Sequence, residues 1–292
     1  FWSLLAHYHG QLWNASDSAM TLGRRRFLKL LGAGALVASY PVLIERYIVL
    51  TNRYRIRVPG LPSAFDGFTI VHLTDLHYGT LVPMSLLRSV IRRCNAMKKD
   101  LVVCTGDYVH GRNTTNEIDA VWPEIARLSC AGGVYSVLGN HDHWADTQRS
   151  QYWLESTGQN LRRRTALIER GGARLWLAGA GDLWEDHMSI DELLKDVPDD
   201  ECRIVLAHNP DTADTSYSKR VDLMICGHTH GGQVQVPFMG PPILPVKNKT
   251  YSSGLRQSPR GDRVFISKGI GWAILPLRLN CFPEIAVLEL GS

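Results

Sequence analysis

The sequence predicts an α/β fold whose central strands are covered on both faces. Two observations carry that expectation. The stretches "DLVVCTGDY" (100–108), "CRIVLAHNP" (202–210) and "VDLMICGHTH" (221–230) each hold a largely continuous apolar run that ends in polar residues. A strand wetted on one side alternates instead, so continuous runs indicate strands buried from both sides. Segments of helical periodicity lie between these runs, which is the alternation that builds a mainly parallel sheet. At 292 residues and 45% hydrophobic, the chain can bury a substantial core.

The elements follow in order. Residues 1–19 are set aside as upstream sequence, because a start at Met20 places Arg24, Arg25 and Arg26 close behind it. Residues 20–46 read as a targeting segment: "GRRRFLK" (23–29) precedes a short apolar stretch, 30–44. That stretch is shorter than the roughly 20 residues needed to span a bilayer. Ala33-Gly34-Ala35 has the small-residue pattern of a cleavage site but lies too early, and nothing better follows before Glu45, so the segment is read as a signal or as an anchor that stays in place. The domain proper is placed at 52–292. "RYRIRVP" (53–59) alternates as a strand with one exposed face, and "GFTIVHLTDLH" (67–77) is a second strand. Leu86, Leu87, Val90, Ile91, Cys94 and Met97 then share one helical face, with Pro83 suited to the first turn. A helix around 116–129, a strand and loop at 133–142, and a helix near 145–156 come next. Two strands within 161–184, the runs at 202–210 and 221–230, and strands near 262–268 and 283–290 complete the chain.

Composition narrows the function. Of the net charge of +4, the first 46 residues hold +3, from Arg24, Arg25, Arg26, Lys29 and Arg46 against Asp17 and Glu45. The remainder is close to neutral, which argues against a nucleic-acid partner. None of the six cysteines forms a C-x-x-C pair, and no disulfide framework is expected in a chain this long.

Five strand ends carry polar groups of one chemical kind: Asp75-Leu76-His77, Gly106-Asp107, Gly139-Asn140-His141-Asp142, Ala207-His208-Asn209 and Gly227-His228-Thr229-His230. In α/β folds ligands collect outside the carboxyl ends of strands, so these loops are expected to converge. His228 and His230, two apart on an extended strand, would project to the same side. A mixture of carboxylate, amide and imidazole donors suits Mn, Fe, Zn or Co, and it is too large for one tetrahedral zinc.

The order D-x-H, G-D, G-N-H-D, H, G-H-x-H resembles the signature of the calcineurin-like metallophosphoesterases over about residues 67–233. The arginine leader, "GDLW" (181–184), "LAHNPD" (206–211), "GHTHGGQ" (227–233) and "LRLNCFPE" (277–284) resemble a bacterial branch of exported or membrane-associated phosphodiesterases. The resemblance implies a four-layer sandwich of two mixed β-sheets flanked by helices. It also implies a site for two divalent ions, manganese foremost. Asp75, His77 and His230 would hold one ion, and Asn140, His208 and His228 the other. Asp107 would bridge them and His141 would be the catalytic histidine. The implied reaction is in-line attack on a phosphodiester or pyrophosphate by a metal-bridging hydroxide.

One position departs from the protein-phosphatase pattern: His110 stands where that branch has the Asp that orients its catalytic histidine. Diester or pyrophosphate substrates are therefore favoured, and Asp142 is read as a loop cap rather than as the missing partner. The Pro-rich apolar stretch 236–251 is read as a packed loop or as a lip for a lipid-linked substrate. Some relatives cleave UDP-2,3-diacylglucosamine in lipid A synthesis. That substrate is cytosolic, whereas the leader resembles a twin-arginine export signal and points to the periplasmic or outer face of the cytoplasmic membrane. The alternatives are a phosphomonoesterase acting on small phosphates or nucleotides and a non-catalytic metal-binding scaffold.

Overall fold

The computed structural model describes residues 23–79 and 81–292, so the expectations placed on residues 1–19 and on Met20 lie outside it. The chain divides into two compact units, Phe1–Tyr40 and Pro41–Ser292. Helix α1 (Arg24–Leu43) fills the described part of the first unit and runs into the second. It starts at the arginines rather than after them, so the helix is longer than the apolar stretch 30–44 read from the sequence. Its 20 residues extend about 30 Å, enough to cross a bilayer. Among the described residues, Arg24–Tyr47 is the one helical stretch long and apolar enough to do so.

The second unit contains two mixed sheets. In the first, β1 (Leu50–Arg57), β11 (Glu284–Gly291), β2 (Thr69–Leu73), β3 (Leu101–Cys104) and β4 (Val134–Ser136) are adjacent in that order. Strand β11 pairs parallel with β1 and antiparallel with β2, and β2, β3 and β4 are parallel. In the second sheet the order is β5 (Arg164–Arg170), β6 (Ala173–Gly179), β7 (Cys202–Leu206), β8 (Leu223–Cys226), β10 (Arg263–Ile266) and β9 (Gly254–Gln257). Its four middle strands are parallel and its two edge strands antiparallel.

The layers follow from which side chains are apolar on which face. Ile70, Val103 and Leu288 of the first sheet meet Leu177, Ile204 and Ile225 of the second in a core between the sheets. The outer face of the first sheet is covered by α2 (Met84–Ala96), α3 (Asn116–Ile125) and α4 (Asn140–Ser156), through residues such as Leu87, Val90, Trp122 and Leu154. The outer face of the second is covered by the short α5 (Ile190–Leu193), a 3-10 turn at Pro210–Asp214, and loops carrying Tyr217 and Tyr251. Four layers result, in the arrangement the resemblance implied.

Three local expectations change. Pro83 caps α2 from outside instead of opening its first turn. Helix α4 begins at Asn140, not near 145, because extended Gly139 precedes it and the Asp142 carboxylate accepts the Gly139 amide at 2.9 Å. Strand β9 has exposed side chains and no apolar run, so nothing in the sequence marked it.

Candidate metal centre

Because β2, β3 and β4 are parallel, as are β7 and β8, their carboxyl ends lie at common sheet edges. The loops beyond them meet. Besides a group of three histidines, His77, His110 and His141, two groups that include a carboxylate form there. Donor atoms of Asp75, His77 and His230 lie within 4.8 Å of one another, and so do those of Asp107, His208 and His228. Asp107 stands between them, its Oδ2 3.5 Å from His77 Nε2 and 3.2 Å from His208 Nε2. Asn140 is buried with its Oδ1 unpartnered, and it lines the same cavity as Asp107 and His228. His141 is there too, its ring centroid 4.6 Å from that of His77. The structure thus brings together all eight residues singled out in the sequence.

The backbone corrects one detail. His228 and His230 are not an extension of β8: their φ values are 70° and 52°. They do not project side by side from an extended strand: both turn through the left-handed region, and they fall in different groups. Asp75, His77 and Asp107 share that conformation, at φ 54°, 46° and 56°. Side chains disfavour it, and such strain concentrates where a site demands it. Gly227 shows how close the packing is, since a Cβ there would fall 2.4 Å from Asp75 Oδ2 and 2.1 Å from Thr74 Oγ1.

The ordered motifs within this geometry match the calcineurin-like phosphoesterase family over residues 68–232. The chain belongs to that family. This phosphoesterase is 33% identical over 282 residues to the uncharacterized metallophosphoesterase YkuE of Bacillus subtilis (93% of this chain, 98% of the relative). It is 36% identical over 231 residues to the phosphodiesterase YaeI of Escherichia coli (76% and 82%). A transmembrane protein with a metallophosphoesterase domain from Danio rerio is 28% identical over 249 residues (80% of this chain, 56% of the relative). The protein is a metal-dependent phosphoesterase of a family that uses a pair of divalent ions.

The residues present fit such a pair. His208 donates from Nδ1 to the Thr105 carbonyl at 2.7 Å, and His228 from Nε2 to the Pro245 carbonyl at 3.0 Å. A carbonyl can only accept, so these bonds fix both tautomers. The nitrogens left over, His208 Nε2 and His228 Nδ1, present lone pairs to each other across 3.1 Å. His77 Nε2 and His230 Nε2 face each other at 3.0 Å in the other group. Each facing pair requires a proton or a cation. Outward-anchored imidazoles with inward lone pairs are how metal-binding histidines are held.

Burial of so much charge shifts the titrations. Burial lowers the His208 imidazole, but the Asp107 carboxylate outweighs it and carries the group up to about 10. Burial likewise raises Asp107, yet the charges on His208 and His141 hold it well below the usual carboxylate range. Burial pushes Asp75 up to about 6, and burial with the neighbouring Asp107 charge pushes Asp142 up to about 7. Burial and the His208 charge take His228 down to about 3.

A pH effect follows for the metal-free protein. The His208 value exceeds its unfolded value of about 6.5, so its proton stabilises the fold fully below that pH. The stabilisation is lost as pH rises toward 10. Calorimetry on chelator-treated protein should show the melting temperature falling between about pH 7 and about pH 8.5, below the range of the thiols. Saturating manganese should flatten that slope, because the ion replaces the proton. A flat apo profile would remove the Asp107–His208 proton from the account.

The cavity in front of these groups measures about 550 Å³, and Arg112, Trp144, Trp184 and Ile274 complete its wall. Sequence reading gave none of these four a role in the site, although Trp184 lies in the quoted "GDLW" and Trp144 follows His141 by three residues. It also undervalued His110. The His110 carbonyl accepts from His141 Nδ1 at 2.9 Å, and the two rings stack with centroids 5.4 Å apart. The residue standing where a carboxylate was missing thus orients His141 through its main chain. Asp142 does cap the loop: its carboxylate accepts from the amides of Asp107, Tyr108 and Gly139 at 2.8, 2.9 and 2.9 Å.

Proposed function

We propose that this chain is a two-metal phosphodiesterase. Asp75, His77 and His230 would hold one ion, Asn140, His208 and His228 the second, and Asp107 both. The observation that carries this reading is the position of Asp107 between two groups of facing imidazoles, its Oδ2 3.5 Å from His77 Nε2 and 3.2 Å from His208 Nε2. Two divalent ions, manganese first among the candidates, would neutralise the substrate oxygens and supply a water of lowered pKa.

The chain's own residues do the remainder. His141, with Nδ1 committed to the His110 carbonyl, has Nε2 available to carry a proton to the departing oxygen. Its backbone amide donates to Asp107 Oδ1 at 2.9 Å, which holds that carboxylate at the start of α4. Arg112, its guanidinium 3.9 Å from the Trp144 ring centroid, places positive charge at the cavity wall. Trp144, Trp184 and Ile274 offer an apolar surface to the group beyond the phosphate.

That wall supports an amphiphilic, lipid-linked diester as the substrate. Arg24–Arg26 followed by Phe27 and Lys29 support a twin-arginine leader, with α1 retained as the anchor and the domain on the periplasmic or outer face. On that face a cytosolic nucleotide sugar is out of reach. The substrate is then a diester resident on the outer side. The chemistry is tested with bis-p-nitrophenyl phosphate: metal-stripped protein should be inactive and should regain hydrolysis with manganese. A p-nitrophenyl phosphate control should stay slower. Faster monoester cleavage would overturn the diester preference, and failure of any metal to bind would overturn the reading.

A further inference from the structure

Five exposed large apolar side chains of the catalytic unit, four of them its most exposed, sit on two loops beside the cavity. Phe238, Met239 and Ile243 lie on the first, and Ile274 and Leu275 on the second; Phe238 is 109% and Ile274 86% exposed. Phe238 tops a tight hairpin closed by reciprocal Val236–Gly240 backbone bonds, and its φ of 66° is one that glycine or asparagine would adopt with less strain. Core packing does not explain a strained, fully exposed phenylalanine.

The two loops form one platform. The Gln233 side chain donates to the Ala273 carbonyl and accepts the Ala273 amide, both at 2.8 Å. The Gln235 amide donates to the Leu279 carbonyl at 2.8 Å, and the Leu279 amide to the Gln233 carbonyl at 2.9 Å. The end of α1 is tied to the same place. The Arg278 amide donates to the Pro41 carbonyl at 3.1 Å, Arg46 Nη1 donates to the Pro276 carbonyl at 2.7 Å, and the Arg46 guanidinium lies 4.6 Å from the Trp272 ring centroid. The chain therefore enters this unit at the platform, directly from a segment long enough to cross a bilayer.

The geometry points to a lipid surface as the occupant of this platform. Phe238, Met239, Ile243 and Leu275 insert among the headgroups and upper acyl chains, and the cavity opens beside them. Ile274 belongs to both, since it lines the cavity as well. The substrate class is accordingly a diester whose apolar part stays in the membrane during cleavage. This deepens the proposed function and rests on α1 lying in the membrane.

The test uses the full chain, reconstituted into vesicles of phosphatidylethanolamine with phosphatidylglycerol as the minor component. Cys130, the one cysteine that is not buried, is replaced by serine. A nitrobenzoxadiazole label is placed at Met239→Cys or at Leu275→Cys. A control label sits at Glu169→Cys, next to the β5–β6 turn at the sheet edge opposite the site. Lipids doxyl-labelled near the headgroup should quench the first two labels several-fold more than the control. Equal, weak quenching at all three positions would overturn the proposal. Shielding without lipid quenching, together with a doubled mass, would also overturn it and assign the platform to a second copy of the chain. Bis-p-nitrophenyl phosphate hydrolysis is recorded on the same samples. Loss of hydrolysis with quenching intact removes the phosphodiesterase reading alone, and the reverse removes the docking surface alone.

Discussion

Replacing Asp107 by asparagine is expected to lower kcat/KM for bis-p-nitrophenyl phosphate by at least about a thousandfold, equivalent to about 4 kcal/mol of transition-state stabilisation. The carboxylate is buried and faces imidazoles of both groups, at 3.2 and 3.5 Å. Asparagine keeps its shape and can still accept from the His141 amide, but it removes the negative charge that two dications would share. Metal content measured by mass spectrometry should fall from two ions per chain toward one. A variant that retains two ions and near-normal activity would show that Asp107 bridges nothing.

Asp142→Ala should be the most destabilising single change at the site, although Asp142 belongs to neither ligand group. Its carboxylate is the acceptor for three amides, those of Asp107, Tyr108 and Gly139. Each buried amide left unpaired costs about 1–3 kcal/mol, so a loss of roughly 3–6 kcal/mol is expected. For a domain of this size that corresponds to a fall in melting temperature on the order of 10–20 °C. Activity should fall with it, because the Asp107 and Gly139 backbones are what the carboxylate holds. Were Asp142 instead an orienting partner of His141, activity would drop and a shifted pH profile would appear with little change in melting temperature.

What could be read from the sequence, and what could not, has a common physical cause. Strands such as Leu101–Cys104 and Leu223–Cys226 are buried on both faces, so their composition announces them, and the residues following them are chemically distinctive. The eight candidate residues could be picked out for that reason. Main-chain chemistry leaves no such mark. Nothing about the His110 side chain indicates that its carbonyl orients His141, and nothing in His228 or His230 announces a positive φ. Likewise, nothing in the sequence shows that Trp144, on the first turns of α4, and Trp184 come together, their rings 6.3 Å apart and nearly parallel. Strand β9 depends on its neighbour for its register and has no apolar pattern of its own.

The place of β11 has a consequence for how the molecule comes into being. Strand β11, more than 200 residues after β1 and β2, lies in the interior of their sheet, in register with Leu50–Arg57 on one side and with residues 69–72 on the other. While the ribosome is still short of residue 284, β2 has one bare edge, and the loop bearing Asp75 and His77 hangs from an unfinished sheet. Bare apolar edges of this kind invite pairing between chains. A polypeptide lacking β11 is therefore expected to aggregate, and the sheet that carries the Asp75 and His77 loop is complete only once residues 284–291 have joined it.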